Sequence, residues 1–184
     1  MKKILFLLFL LPLLGYAQLP VDFKLQHNGS FKTVDGKDFV IIPNEGKTAN
    51  ELYNEVLQFV TLEYNSAKDV ISKVENSVIS INGIETDCVT LSGMFGVKSL
   101  FSIQYILQFQ FKDGKIRVEA PTLSRLFTKE TPDIKPISGW LNAQNVFKKG
   151  KPNPKKQSTI DDFENTLNGL INRILTSKQN KEDW

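Results

Sequence analysis

Between Phe101 and Lys112 apolar and polar side chains alternate with a period of two. Phe101, Ile103, Tyr105, Leu107, Phe109 and Phe111 share one parity, while Ser102, Gln104, Gln108, Gln110 and Lys112 share the other, interrupted by Ile106. Successive strand side chains point to opposite faces, so the segment predicts a strand with one dry face and one wet face. Asp113-Gly114 follows at once. This pair suits a two-residue type I′ hairpin turn, whose central residues both need positive φ. Folding the chain there sets Lys112 opposite Lys115, Phe111 opposite Ile116, Phe109 opposite Val118 and Leu107 opposite Ala120. On the reverse side Gln110 opposes Arg117 and Gln108 opposes Glu119. A slip of one residue would send every apolar side chain to the wrong face, so the register is strongly specified.

Elsewhere the period changes. "DFVIIP" (38–43) reads as a short strand closed by proline. Thr48 then stands three residues before Glu51, the capping-box spacing. Leu52, Val56 and Val60, with Tyr53, Leu57 and Tyr64 alongside, form the apolar stripe of an amphipathic helix. "DVISKV" and "SVISI" predict two strands with Glu75-Asn76 between them, the second ending at Asn82-Gly83, and "CVTLSGM" predicts a third. Residues 121–157 read as a long irregular loop, either a lid or a covering segment that closes one edge of the sheet. A second amphipathic helix follows, with Ser158 as its cap and Asp161 and Asp162 in the first turn. Ile160, Phe163, Leu167, Leu170, Ile171 and Ile174 form its buried side. Two helices that each need a dry surface, and a sheet that offers one, make an α+β two-layer sandwich: an antiparallel sheet with both long helices on one face, in the order β-α-β-β-β-β-α.

The first residues do not belong to this pattern. "MKKILFLLFLLPLLGYAQ" carries two lysines, an apolar run from Ile4 to Leu14, and small residues at Gly15 and Ala17, as a secretory leader does, which predicts cleavage between Ala17 and Gln18. The run is short of the roughly 20 residues that span a bilayer, so no transmembrane anchor is expected. The expected product is periplasmic or secreted. Residues 1–17 are then the leader, 18–37 an N-terminal extension, 38–179 a single domain containing the 121–157 loop, and 180–184 a polar tail.

Export alters the charge balance. The chain has 23 basic and 20 acidic side chains, and two of the basic ones, Lys2 and Lys3, lie in the leader, which leaves a net charge of +1. Such a balance gives no electrostatic footprint for nucleic acid. Cys88 is the only cysteine, so no intrachain disulfide forms and stability must come from an apolar core.

With "GKTANELYNEVLQFVTLEYNSAKDVI" followed by "QFQFKDGKIRVEA", the chain resembles a family of exported Bacteroidetes proteins described as a domain of unknown function with a TATA-binding-protein-like fold. The cues are the GK-x-x-x-ELY helix start, the aromatic helix end before "KDVI" and the KDGK-x-R hairpin, over residues 38–125. The resemblance implies a fold and an exported location. It carries no catalytic residues.

Candidate chemistry is sparse. His27 is the only histidine and Cys88 is distant in sequence, so neither a thiol dyad nor a histidine-based zinc site can be assembled, and there is no G-x-S-x-G elbow. No enzyme activity, cofactor or metal is expected. Three roles remain open. The first is a non-enzymatic binding or structural module of the cell envelope, engaging a protein or glycan through Gln104, Gln108, Gln110 and Arg117, with Trp140 and Phe147 as anchors. The second is a carrier of a hydrophobic small molecule between the helices and Phe101, Phe109 and Phe111. The third is membrane-surface contact through Lys148, Lys149, Lys151, Lys155 and Lys156, helped by Trp140.

Overall fold

The computed structural model describes residues 21–64, 66–93 and 96–176. The leader, the cleavage site at Ala17 and Gln18, and the 180–184 tail lie outside the described residues.

Three consecutive antiparallel strands form the centre. β5 (Val78–Ser92) and β6 (Lys98–Lys112) are each 15 residues long, and β7 (Lys115–Glu119) returns along β6. β3 (Phe39–Pro43) pairs with β7 at one side and β4 (Ile71–Val74) with β5 at the other, giving the order β3-β7-β6-β5-β4. β8 (Thr122–Phe127) pairs with the other half of β6, on the edge that β7 uses. Here α1 (Ala49–Glu63) and α4 (Gln157–Thr176) are the long helices; α2 (Ala67–Val70) and α3 (Ile137–Ala143) are short. The layout is the expected two-layer α+β sandwich, with six strands in the main sheet where the sequence order has five, and two separate two-stranded hairpins among the described residues.

The β6–β7 register matches the pattern: Lys112 faces Lys115, Gln110 faces Arg117, Phe111 faces Ile116 and Phe109 faces Val118. The ladder stops there, and the expected Gln108–Glu119 and Leu107–Ala120 pairs are not part of it. Pairing resumes in β8 one residue out of step, after Pro121, and shifts again at Ser124, whose hydroxyl donates to the Gln104 carbonyl (3.1 Å). That second shift lets Leu123 and Leu126, three residues apart, both turn toward the core by facing Tyr105 and Ile103.

The turn itself also differs from the type I′ expectation. Gly114 has φ +75° while Asp113 is not in the positive-φ region. Contacts from outside the hairpin hold it: Gly114 donates to the Lys47 carbonyl and accepts from Asn44 N (both 2.8 Å), and Asp113 accepts from Ala49 N (2.8 Å) at the start of α1. The type I′ signature occurs instead at Lys149-Gly150, φ +50° and +75°, between β9 (Phe147–Lys148) and β10 (Lys151–Pro152).

Asn82-Gly83 does not end a strand. "SVISI" and the Cys88–Ser92 part of "CVTLSGM" run together in β5, joined by an irregularity between Glu85 and Val89 where Asp87 takes φ +53° and donates its N–H to Ser102 Oγ (3.0 Å). The irregularity inserts an even number of residues, so Ile79 and Ile81 before it and Val89 and Leu91 after it all face inward. Gly83 is required mid-strand because Tyr105, opposite it, lies across it. A Cβ on Gly83 would sit 2.4 Å from Tyr105 Oη and 2.5 Å from Cζ. The phenol reaches on to Tyr64 Oη (2.9 Å).

Both long helices lie on the odd-numbered face of β6. α1 starts with the expected Thr48–Glu51 capping box and buries Leu52, Tyr53, Val56 and Val60. All six apolar positions expected on α4 are buried. Ser158 is not its cap, because a 3-10 turn over Pro154–Lys156 runs into the helix and Asn153 caps that turn by accepting from Lys155 N (3.2 Å). Asp162 accepts from Thr90 N (2.7 Å) and Thr159 donates to the Thr90 carbonyl (2.8 Å), which satisfies the β5 backbone beyond the end of β4.

Residues 18–37 were set outside the domain by the sequence pattern, yet the described part of them enters the core. β1 (Phe23–Leu25) and β2 (Phe31–Thr33) form a hairpin whose Phe23, Leu25 and Phe31 are buried. Side chains of α4 bind β1 as a neighbouring strand would. Asn172 bonds both N–H and C=O of Val21 (2.8 and 2.9 Å), Asn168 both of Phe23 (2.9 Å each), and Glu164 accepts from Leu25 N (3.0 Å). Four helical residues advance about 6.0 Å and two strand residues about 6.7 Å, so every fourth helix side chain meets every second strand residue. An asparagine amide offers one acceptor and a donor group, which lets it stand in for a peptide unit.

Candidate functional site

The even-numbered face of β6 is left without a helix layer. Across it run Ile41 and Phe39 of β3, Arg117 and Glu119 of β7, Gln104, Ile106, Gln108 and Gln110 of β6, and Ser80, Asn82 and Ile84 of β5. Its polar groups are largely tied to one another. Glu119 Oε1 accepts from Gln110 Nε2 (2.8 Å) and lies 2.6 Å from Arg117 Nε, and Oε2 accepts from Arg117 Nη2 (3.1 Å). Gln104 donates to Asn82 Oδ1 (3.0 Å). The Arg117 guanidinium sits 3.9 Å from the centroid of the Phe39 ring, and Arg125 sits 4.5 Å from that of Phe127. Held guanidinium groups over rings bring charge and flat apolar area together at low entropic cost. Exposed Ile41 and Ile84 add apolar surface.

At the hairpin end of this face a cleft of about 180 Å³ is lined by Ile41, Gln110, Lys112, Lys115 and Arg117. The structure thus gathers Gln110 and Arg117 into one site. Gln104 and Gln108 share the face but lie farther along it, opposite Ile84 and Ser80. The lysines of the cleft were not picked out from the sequence, although their facing positions in the expected hairpin carried the signal. Two further clefts lie elsewhere. One, of about 440 Å³, sits between the β1–β2 turn and the β7–β8 junction, and one, of about 280 Å³, lies where α1, α2 and β4 meet.

Trp140 and Phe147 must be withdrawn from the surface. Trp140 is 9% exposed, with its ring centroid 4.9 Å from Phe101 and 6.4 Å from Phe163, and Phe147 is 4% exposed. Burial of their large apolar area in the core outweighs any anchoring role, and the 121–157 segment covers the sandwich with β8, α3 and the β9–β10 hairpin. The same packing uses the phenylalanines that would line a carrier cavity: Tyr53 meets Phe111 edge-on at 5.6 Å and Phe109 is fully buried. The lysine run divides as well. Lys148 and Lys151 flank the turn that holds Lys149, Lys155 lies in the 3-10 turn, and the Lys156 ammonium is bonded to the Ser92 carbonyl. Trp140 is not available to help them reach a membrane.

Cys88 lies in the β5 irregularity with its thiol toward the Glu85 carbonyl (3.6 Å), and burial pushes its pKa up to about 11. His27 is exposed in the β1–β2 turn. Among the described residues no group of three His, Cys, Asp or Glu side chains gathers as a metal site, and no helix is long and apolar enough to cross a membrane.

A twisted antiparallel sheet carrying two long helices on one face and leaving the other bare is a TBP-like α+β sandwich. Residues 39–124 match the model of a family described as a domain of unknown function (DUF4468) with TBP-like fold. Two crystal structures share the architecture. One is a TBP-like protein from Parabacteroides distasonis, with 16% identity, TM-score 0.52, and 78% of this chain and 92% of that chain covered. The other is a DUF4468 family protein from Bacteroides ovatus, with 14% identity, TM-score 0.56, and 79% and 86% covered. No curated protein matches the chain significantly.

Proposed function

We propose that the protein is an exported, non-enzymatic binding module of the cell envelope that engages a macromolecular partner through the bare face of its sheet. The observation that carries this reading is the composition of that face. Arginines stacked on Phe39 and Phe127, bonded glutamines and exposed Ile41 and Ile84 are arranged over a rigid sheet, a mix that suits an interface better than a merely hydrated surface. A non-catalytic role is supported by the placement of the lone thiol and the lone imidazole on different elements: Cys88 is part-buried in the β5 irregularity and His27 is exposed in the β1–β2 turn.

The test is in-cell photo-cross-linking from positions Gln108 and Ile84 on the face, with exposed Leu62 on α1 as the control. The expected result is a discrete adduct from the face positions alone, lost when Arg125 is changed to Glu. Equal adducts from Leu62, or none from the face, refute the reading. Fractionation of the producing cell tests export: retention of the full-length chain in the cytoplasm would refute that part.

A further inference from the structure

We infer that the cleft at the hairpin end of the bare face is the subsite for a carboxylate side chain on an acidic segment of a protein partner; this rests on the binding reading above and specifies its chemistry. Glu119 already neutralises Arg117 and holds Gln110. Lys112 and Lys115, directly opposite each other, have no ion-pair partner among the described residues, and Asp113 between them is committed to Ala49 N. The cleft therefore carries two uncompensated ammonium groups over a fixed floor.

Its size narrows the ligand. At about 180 Å³ it is below the roughly 300–1,000 Å³ of whole-molecule sites, so it admits one side chain rather than a cofactor. A glutamate fits that description, with methylenes for the Ile41 side chain, 44% exposed, and a carboxylate for the lysines. An acidic glycan is less well served. Sugar rings dock on open aromatic faces, and Phe39 and Phe127 are both covered by guanidinium groups. A membrane is less well served still, because polybasic lipid sites gather about 4–8 cations and this cleft has two free ones.

The experiment is a titration of the ¹⁵N-labelled protein with a capped tetraglutamate peptide, read from amide shifts. The expected result is saturable shifts confined to Ile41 and residues 110–117, with affinity falling at least ten-fold in the Lys112→Gln/Lys115→Gln variant and on raising salt from about 50 to 300 mM, since exposed charges are screened. Both lysines are exposed, so the variant keeps the core. Absence of saturation, shifts that survive the double substitution, or equal shifts with trigalacturonate or with inorganic phosphate overturn the inference. If face-specific cross-linking persists while tetraglutamate gives no shifts, the binding module stands and this subsite falls.

Discussion

Replacing Gly83 with alanine offers a test in which the sign of the effect decides. With free space around it, a glycine in a strand is destabilising, and Gly→Ala should stabilise by about 0.4–1 kcal/mol through the unfolded chain. The space is not free: the new methyl would meet Tyr105 at 2.4, 2.5 and 2.9 Å, and Tyr105 is fully buried with its hydroxyl bonded to Tyr64. Overpacking of this kind costs about 1–3 kcal/mol, and expelling the ring forfeits a further ~1 kcal/mol with the Tyr64 bond. The net expectation is destabilisation of about 2–3 kcal/mol, read as a drop of about 1–1.5 M in the urea midpoint at an m-value near 2 kcal/mol/M. The same substitution in a Tyr105→Leu background, which lacks the clashing atoms, should be neutral or stabilising. A coupling energy of about 2 kcal/mol or more follows from this double-mutant cycle. Stabilisation by Gly83→Ala in the otherwise unaltered protein would refute the account of why Gly83 lies mid-strand.

Other outcomes follow from the same geometry. Asn168→Ala leaves both backbone groups of Phe23 without their partner and should cost about 2–4 kcal/mol in urea unfolding; a loss under about 0.5 kcal/mol would mean that β1 is not held by α4. Asp113→Ala removes an acceptor at the start of α1 and should cost about 0.5–2 kcal/mol, with hydrogen exchange rising first at Ala49; unchanged exchange there would contradict the contact. Burial raises the pKa of Tyr64 and Tyr105 above the ordinary phenol value, so their contribution is complete below pH ~10 and is lost as pH rises past it. Absorbance titration should show these two phenols ionising only with alkaline unfolding, and their ionisation ahead of unfolding would refute it. Cys88, its pKa raised from 9.0 to about 11, should alkylate on the order of 10- to 100-fold more slowly in the native protein than in urea.

Much of the fold could be read from periodicity, because the two-residue alternation of β6 and the stripes of α1 and α4 are dictated by burial on one side. The capping box was equally legible, being local chemistry. What escaped were features set by distant parts of the chain. Asn82-Gly83 reads as a turn in isolation, and only the Tyr105 ring explains why the strand continues through it. The Asp113-Gly114 turn departs from type I′ because the loop before α1 and the helix start hold it. Trp140 and Phe147 looked like surface anchors because the surrounding prolines and lysines hid the fact that α3 lays Trp140 against Phe101 and Phe163 and that β9 buries Phe147. Of the wet-face candidates, alternation found Gln110 and Arg117. It could not tell that Glu119 would occupy them and leave Lys112 and Lys115 as the free charges.

The clasp between β1 and α4 also sets an order in time. Val21 and Asn172 are 151 residues apart, and β1 cannot acquire its helix-borne partners until that stretch has been made. At about 5–20 residues per second, a chain emerging N-terminus first holds Phe23 and Leu25 uncovered for roughly 8–30 s. Closure of the domain therefore waits for α4, and the first strand stays open to any chaperone that reaches it until then.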